Sequence, residues 1–261
     1  GIKITETDLV SSSQSVSSTS GGFSGQFRWG PIDKATQVTN ETELVNRFGK
    51  PNATNAVDFL SAANFLGYSG SLFVVRSANT ALNATAEATT GSGTAGAGTS
   101  IKNEDAYINT ASFNVGPWAA RYSGALGNAI KVSVCPSSAA YSNTLTGTFT
   151  VTAGSTTVTG SGTAANTEMQ VGDILVLGGR ATRVTALANA TSLTIESAHL
   201  TGAAAATGTR RWEFFGEFDS APGTSTAASA AGSTGDELHV IVQDKTGDIT
   251  GTPNTVLEKF A

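Results

Sequence analysis

The stretch that decides the fold runs from residue 40 to residue 76 and reads NETELVNRFGKPNATNAVDFLSAANFLGYSGSLFVVR. Asn40, followed three residues later by Glu43, combines an N-cap with an acidic first turn and predicts a helix that ends at Gly49. A second helix follows, with Asn55 as its expected cap and apolar residues at i, i+4 and i+7. Those apolar positions are Phe59, Ala63 and Leu66.

A continuous apolar run, Leu72–Val75, follows the second helix. Its length suits a strand, and the lack of alternation between apolar and polar residues predicts a strand covered on both faces. Two helices followed by a buried strand indicate an α/β layer.

The sequence pattern changes at residues 146–215, which contain short β-like runs at close spacing and no helix signal. Gly178-Gly179 is a favoured two-residue hairpin turn, and Val171–Asp173 turns the chain into a strand. These patterns predict a small, self-contained all-β barrel or sandwich. The β-like runs are Phe149–Val151, Val158, Ile174–Leu177, Ala181–Val184, Ser192–Ile195 and Trp212–Phe215.

Two segments rich in Gly, Ala, Ser and Thr, 79–100 and 216–235, are expected to be linkers because they carry few large apolar residues. The run Leu238–Val242 after the second linker predicts a buried strand. Residues 244–248 then turn the chain into Thr255–Phe260. An α/β part together with this β-module predicts an α+β multidomain protein.

Composition excludes several classes of protein. The 261 residues carry a formal net charge of −5, so no basic excess is present to neutralise nucleic-acid phosphates. The single cysteine, Cys135, excludes an internal disulfide, and the two histidines form no zinc-binding spacing. No apolar run approaches the roughly 18 residues of a membrane-spanning helix. The sequence therefore predicts a soluble protein made in a cytosol.

Candidate catalytic, cofactor and metal residues are few, and each has a structural explanation. His239 lies between apolar neighbours in a predicted strand, and residues 244–248 lack the ligand positions of a calcium loop. The GxGxxG pattern at 91–96 has neither a strand before it nor a helix after it. We therefore expect no catalytic, cofactor-binding or metal site. Other polar groups interpreted as rim or boundary residues are Arg210, Arg211, Glu217, Asp219, Asp236 and Glu237.

The first ten residues alternate apolar and polar positions and lead into a Ser-rich segment at 11–20. Such a strand on a leash has backbone groups that the edge of another sheet can pair. A frayed terminus is the alternative. The residues of this expected interface arm are Ile2, Lys3, Ile4, Thr5, Glu6, Thr7, Asp8 and Leu9.

Ordered motifs over about 1–78, 101–135 and 236–261 together resemble the tail sheath protein of contractile-tailed bacteriophages. The motifs are Gly1–Asp8, Gly25–Pro31, Val38–Glu41, Glu43–Val45, Phe48–Pro51, Asn64–Leu66, Leu72–Arg76, Trp118–Tyr122, Gly124–Asn128, Ile130–Val132, Asp236–Val240, Gly251–Pro253 and Thr255–Phe260.

This resemblance implies a structural subunit that stacks in helical rings around a tail tube and contracts to drive the tube through the host envelope. It implies self-association through exchanged arm strands, with the tail tube protein and with baseplate and tail terminator proteins as further partners. The location implied is the virion tail, after assembly in the host cytoplasm. The domains implied are an arm and tether (1–20), a sheath core (21–145 and 236–261) that is incomplete at its C-terminal end, and the inserted β-module (146–215). A virion-surface, glycan-binding protein without a contractile role is the alternative.

Overall fold

The structure is a computed structural model that describes most of the chain. The expected arm, Ile2–Leu9, and most of the expected linker 79–100 lie outside the described part. The described residues are 20–78, 81–86, 98–109 and 118–261. They fall into two compact units, the first within 1–87 and 95–127 and the second within 128–261.

The first unit is a three-stranded sheet with helices on one face. Strand β3 is central, parallel to β1 and antiparallel to β2, while β4 and β5 form a separate antiparallel pair. In chain order the elements are β1 (Gly21–Gly25), β2 (Thr36–Val38), α1 (Glu41–Phe48), α2 (Ala56–Leu66), β3 (Leu72–Arg76), β4 (Thr85–Ala86), α3 (Glu104–Asn109) and β5 (Trp118–Ala119).

Helix α1 begins with the predicted cap. The Asn40 side chain accepts a hydrogen bond from the Glu43 backbone N–H at 2.9 Å. The Glu43 carboxylate accepts one from the Thr39 backbone N–H at 3.0 Å, which holds the entering chain. Gly49 follows the last helical residue with φ +78°, a conformation that favours glycine. The helix and both of its ends are confirmed.

Helix α2 is confirmed, but the predicted role of Asn55 as its side-chain cap is wrong. The Asn55 side chain makes no capping hydrogen bond to the helix. Its Oδ1 instead accepts from the Asn52 backbone N–H at 2.8 Å, so the side chain is used in the turn between the two helices. The Asn52 side chain in turn accepts from the backbone N–H groups of Thr54 and Asn55.

Strand β3 is buried on one face only, so the prediction of two covered faces is wrong. Leu72 and Val74 are 1% and 0% exposed, whereas Phe73 between them is 43% exposed. The physical reason is that Phe48 of α1 and Phe59 of α2 pack into the same core as Leu72 and Val74, so both helices cover one side of the sheet.

The second unit contains two sheets that meet through an aromatic core. In chain order its elements are β6 (Ile130–Cys135), α4 (Ser138–Tyr141), β7 (Ser142–Thr144), β8 (Thr148–Val151), β9 (Thr157–Ser161), α5 (Ala165–Glu168), β10 (Ile174–Leu177), β11 (Arg180–Asn189), β12 (Ser192–Ile195), β13 (Ala203–Ala206), β14 (Thr209–Arg211), α6 (Thr226–Ala230), β15 (His239–Asp244) and β16 (Thr255–Phe260).

One of these sheets is a closed barrel. Its strand order is β13-β8-β9-β12-β11-β10-β14-β7. Strands β13 and β14 are consecutive parts of one bent segment, 203–211, which pairs with β8 through its first half and with β10 through its second. The backbone N–H of Leu145 donates to the Gly208 carbonyl between the two halves, at 2.9 Å. The inside is filled by apolar side chains. They are Leu145, Phe149, Val151, Val158, Ala165, Met169, Leu175, Leu177, Val184, Leu193 and Ile195.

The predicted hairpin at Gly178-Gly179 is confirmed. Strands β10 and β11 pair directly, with Leu177 opposite Arg180. Both glycines have positive φ, +55° and +80°. This is the backbone that a two-residue turn needs to match the right-handed twist of its strands.

Three details of this unit differ from the sequence expectations. Trp212–Phe215 is not a strand, because β14 ends at Arg211 and Phe215–Glu217 forms a 3-10 turn. Both Trp212 and Phe214 are buried, and a chain that turns at this point brings them to the same core. Helix α5 lies where no helix was expected, and its Ala165 packs inside the barrel. The spacer 216–235 contains the short helix α6, capped by Ser225.

The second sheet has the order β16-β15-β6, with antiparallel pairing throughout. The predicted strand at Leu238–Val242 is confirmed to within two residues, and Thr255–Phe260, which follows the predicted turn, is the strand β16.

Candidate interface surfaces

The eight predicted arm residues lie outside the described residues, so their role at a subunit interface stays a prediction. The described part of the chain does contain strands to which another strand can add. Strand β1 lies at one end of its sheet, and β6 and β16 lie at the two ends of theirs. An end strand presents unpaired backbone N–H and C=O groups along its outer side. Strand β1 carries no charged side chain, and a Cβ at Gly22 would meet no atom within 4 Å.

An open apolar face covers one side of the sheet formed by β6, β15 and β16. Val240 lies opposite Val134 on one neighbour and Phe260 on the other, and Val242 lies opposite Val132. Directly paired residues point to the same face, so these five side chains form one surface, with the exposed Glu258 beside them opposite Val242. Val134 and Phe260 are 38% and 53% exposed. We call these five residues the open face.

The opposite side of the same sheet is buried by aromatic side chains. Ile241 and Cys135 pack with aromatic residues from α4 and from the segment after β14. Burial raises the pKa of the Cys135 thiol, which keeps it protonated and unreactive. We call this core the aromatic root. Its aromatic members are Tyr141, Trp212, Phe214, Phe215 and Phe218.

His239 belongs to this root and is a packed core histidine, as expected from its apolar neighbours. Its ring is stacked on Phe218, with 4.1 Å between centroids and 2° between planes. Its Nε2 lies 2.9 Å from the Ser220 carbonyl. The other histidine, His199, is buried after β12 with Nε2 3.0 Å from the Leu177 carbonyl at the end of β10. The two imidazoles are therefore used separately, each within hydrogen-bonding distance of a different backbone carbonyl.

The Asp244 carboxylate holds the turn between β15 and β16. It accepts from the backbone N–H groups of Gly247, Ile249 and Thr250 and from the Thr250 hydroxyl, at 2.8 to 3.0 Å. Burial raises the pKa of this carboxyl, but the four donors outweigh it and the pKa lies below its usual value. The carboxylate is thus used by its own turn, which agrees with the hairpin interpretation of residues 244–248.

The acidic residues near the second spacer do not converge. Asp236 accepts from the Ser225 hydroxyl and backbone N–H, which lowers the pKa of its carboxyl. Glu237 accepts from the Gly223 backbone N–H, and Glu217 lies 3.9 Å from Lys259. Each carboxylate serves local structure, so none is paired with another in the manner of a glycosidase.

No group of three metal-binding side chains comes together in the described part of the chain. Among the same residues, no helix has both the length and the apolarity to cross a membrane.

Arg76 is a buried cation that the sequence analysis did not single out. Its guanidinium donates to the carbonyls of Phe27 at 2.9 Å and Gly30 at 2.8 Å. Burial lowers the pKa of this arginine to about 10. Arg76 thereby fixes the loop after β1. A charged residue ending an apolar run, Leu72–Arg76, was the available signal in the sequence.

The open face was also missed, because the run Leu238–Val242 is apolar at every position except His239 and therefore hides its alternation.

Comparison with known proteins finds relatives that are similar to part of the chain. No protein-family model matches it. Three curated relatives do match, and all three are named tail sheath protein. The relative from Enterobacteria phage T4 is 46% identical over 76 residues, which is 29% of this chain and 12% of the relative.

The relative from Vibrio phage KVP40 is 42% identical over 87 residues, which is 33% of this chain and 13% of the relative. The relative from Salmonella phage ViI is 37% identical over 119 residues, which is 45% of this chain and 18% of the relative. In each case the match spans less than a fifth of the relative's length. The chain is therefore similar, over part of its length, to tail sheath proteins.

Proposed function

We propose that this chain is part of a structural subunit of a contractile phage tail sheath. The subunit polymerises helically around the tail tube and contracts to drive the tube through the host envelope. The observation that carries the proposal is the 37–46% identity to three tail sheath proteins. No catalytic activity is part of this function.

Self-association is the first requirement of a sheath. The arm, Ile2–Leu9, adds as a strand to an end strand of a neighbouring copy. Backbone hydrogen bonds of this kind connect subunits without rigid side-chain docking, so linked subunits can rotate relative to one another. A contact between two different surfaces of the same subunit repeats without closing and yields a helical polymer.

The open face supports a sheath core that further residues of the protein complete. The sheet packs on the aromatic root with one side. Its other side carries Val132, Val240 and Phe260 and is therefore suited to packing against a further element. The relatives are several times longer than the matched segments, so a protein of that length has chain to cover this face.

The barrel is a peripheral insertion in this core. Ser142 and Arg211 are directly paired at its base, so the chain enters and leaves the barrel at adjacent points. A domain attached in this way can be added to a core without rearranging the core's own strands. The expected module boundaries were 146–215, and the strands of the barrel sheet themselves extend from Ser142 to Arg211.

The partners in this function are other copies of the chain, the tail tube protein, and baseplate and tail terminator proteins. Binding to nucleic acid and insertion into membrane are not part of it. The protein assembles in the host cytoplasm and functions in the virion tail.

Negative-stain electron microscopy of the complete protein that contains this chain tests the proposal. A sheath subunit forms hollow, striated tubes or rings. A glycan-binding surface protein without a contractile role forms none, and binding to host glycans by particles that lack tubes would replace the proposal with that alternative.

A further inference from the structure

We infer that the barrel is mounted rigidly on the β6-β15-β16 sheet, so that the two move as one body. A peripheral insertion between spacers would ordinarily be free to swing. Three sets of contacts oppose that freedom here, and all of them lie at the base of the barrel.

The first contact is a carboxylate shared between the two sheets. Glu213, with a side chain 12% exposed, accepts from the ammonium group of Lys131 and lies 3.4 Å from the Ser133 hydroxyl, both on β6. Its other oxygen lies 3.7 Å from the guanidinium of Arg183 on barrel strand β11. One negative charge therefore holds a cation of the sheet and a cation of the barrel.

The barrel backbone is shaped to approach this carboxylate. Gly172 has φ +106°, and a Cβ at this position would lie 2.8 Å from Glu213 Oε2. The Gly172 carbonyl also accepts from the Arg183 guanidinium at 2.9 Å, which aims the arginine at Glu213. Any other residue at 172 would push the carboxylate away.

The second contact is the aromatic root. Trp212 follows β14 directly, and its indole N–H donates to the Ser133 hydroxyl on β6 at 3.0 Å. The Tyr141 hydroxyl lies 2.8 Å from the Phe215 carbonyl and 2.9 Å from that of Phe218. Phe218 in turn stacks on His239 of β15. The segment that leaves the barrel is thus hydrogen-bonded to β6 and stacked on β15.

The third contact is a buried ion pair at the entrance to the barrel. Arg210 on β14 donates two hydrogen bonds to Asp173, at 2.8 and 3.3 Å, and a further one to the Ala140 carbonyl of α4. The side chains of Arg210 and Asp173 are 12% and 3% exposed. Separating a buried ion pair leaves buried charges uncompensated and therefore costs stability. The contacts of Arg210 with Asp173 and Ala140 thus resist bending between α4 and the barrel.

These contacts join different pairs of elements at the base. Glu213 and Arg183 connect β11 to β6, while Arg210 connects β14 to α4 and Tyr141 connects α4 to the exit segment. A hinge between the barrel and the sheet would strain each of these contacts, so removing two of them should loosen the attachment. Rotation of the sheet therefore carries the barrel through the same angle.

Distance measurement between paired spin labels tests this inference on the isolated chain, independently of sheath assembly. Labels are placed at Thr157→Cys on β9 and Glu258→Cys on β16, both exposed positions, in a Cys135→Ala background. We expect one narrow distance distribution. The variant pair Glu213→Gln and Tyr141→Phe, combined in this background, should broaden it or add a second distance.

Glu196→Gln is the matched control, because it removes the same charge from an exposed carboxylate of the barrel. Its distribution should stay narrow. A broad distribution without any of these changes would overturn the rigid mount. If the distribution is narrow and stays unchanged in the Glu213→Gln, Tyr141→Phe variant, these contacts are not the cause of the rigid mount. Glu213→Gln alone serves if the combined variant fails to fold.

Discussion

At the scale of single residues, buried charges in this protein organise backbone turns. Asp244 uses its carboxylate to gather three backbone N–H groups and a hydroxyl, and Arg76 uses its guanidinium to gather carbonyls of the loop after β1. In both cases the charge is satisfied locally, which leaves no reactive group behind. The consequences for stability are measurable.

Replacing Asp244 by Asn should destabilise the β15–β16 hairpin. An amide presents an N–H₂ group to backbone donors, so part of the set is left without an acceptor, at a cost of about 2 kcal/mol. Thermal unfolding at neutral pH measures this loss. Asp248→Asn removes a charge from an exposed position of the same turn and should have little effect. Equal losses in both variants would contradict a specific role for Asp244.

The stability difference between the wild type and Asp244→Asn should depend on pH. The folded protein lowers the pKa of Asp244, so the charged form stabilises the fold. This stabilisation is complete above the unfolded value of about 3.9 and is lost as the pH falls through the lower folded value. The difference in melting temperature between the wild type and Asp244→Asn should therefore shrink below about pH 4. A difference that stays constant down to pH 2 would show that the carboxylate charge is not the cause.

Replacing Arg76 by Lys should destabilise the first unit by about 2 kcal/mol, because a single ammonium cannot span the carbonyls that the planar guanidinium bridges. Urea unfolding followed by tryptophan fluorescence is a suitable measurement, since Trp29 lies in the bridged loop. Arg121→Lys, at an exposed position of the same unit, is the control. An unchanged unfolding midpoint for Arg76→Lys would mean that the loop does not depend on the bridge.

At the scale of elements, the boundary between the barrel and the aromatic root lies after Arg211, where β14 ends. Replacing Leu145–Gly208 by Asn-Gly should therefore leave a folded chain. Thr144 and Thr209 are already paired, and a two-residue turn can join them as a hairpin. The deletion removes the barrel core as a whole and keeps Trp212. We expect cooperative unfolding and a protected Cys135 thiol, measured by its rate of reaction with a disulfide reagent.

Replacing residues 146–215 by a Gly/Ser loop provides the comparison. This deletion also removes Trp212, Phe214 and Phe215, which uncovers Ile241 and Cys135. The thiol should then react quickly and cooperative unfolding should be lost. A protected thiol in this deletion would show that the aromatic root is not needed by the sheet.

Local helices, strands and turns could be predicted from the sequence, but which face of each strand is buried could not. The capped helix at Glu41–Phe48, the Gly178-Gly179 hairpin and the strand Thr255–Phe260 follow from short-range patterns. The exposure of Phe73 and the open face depend on which side of a sheet a helix or aromatic segment covers. Apolar runs such as Leu72–Val75 carry no alternation that would reveal this. The end of β14 was missed for a related reason, because aromatic residues favour strands wherever tertiary packing does not decide otherwise.

At the scale of the whole molecule, function depends on contacts between copies. Deleting residues 1–10, or replacing Ile4 by Pro to remove one ladder donor, should block polymerisation and leave the monomer's melting temperature nearly unchanged. Each added backbone hydrogen bond contributes about 0.5–1.5 kcal/mol, and each buried Ile about 1.5–3 kcal/mol. Ordering the arm offsets much of this, at about 1–2 kcal/mol per residue. Light scattering and calorimetry of the variants measure the two effects.

The most direct test of the central proposal is negative-stain electron microscopy of the complete protein, with and without residues 1–10. The proposal requires hollow, striated tubes or rings from the intact protein and dispersed particles from the form without the arm. Absence of any helical polymer from the intact protein, under conditions where it is folded, would contradict a role as a tail sheath subunit. Normal tubes from the form without the arm would contradict the strand-exchange account of how subunits stay connected.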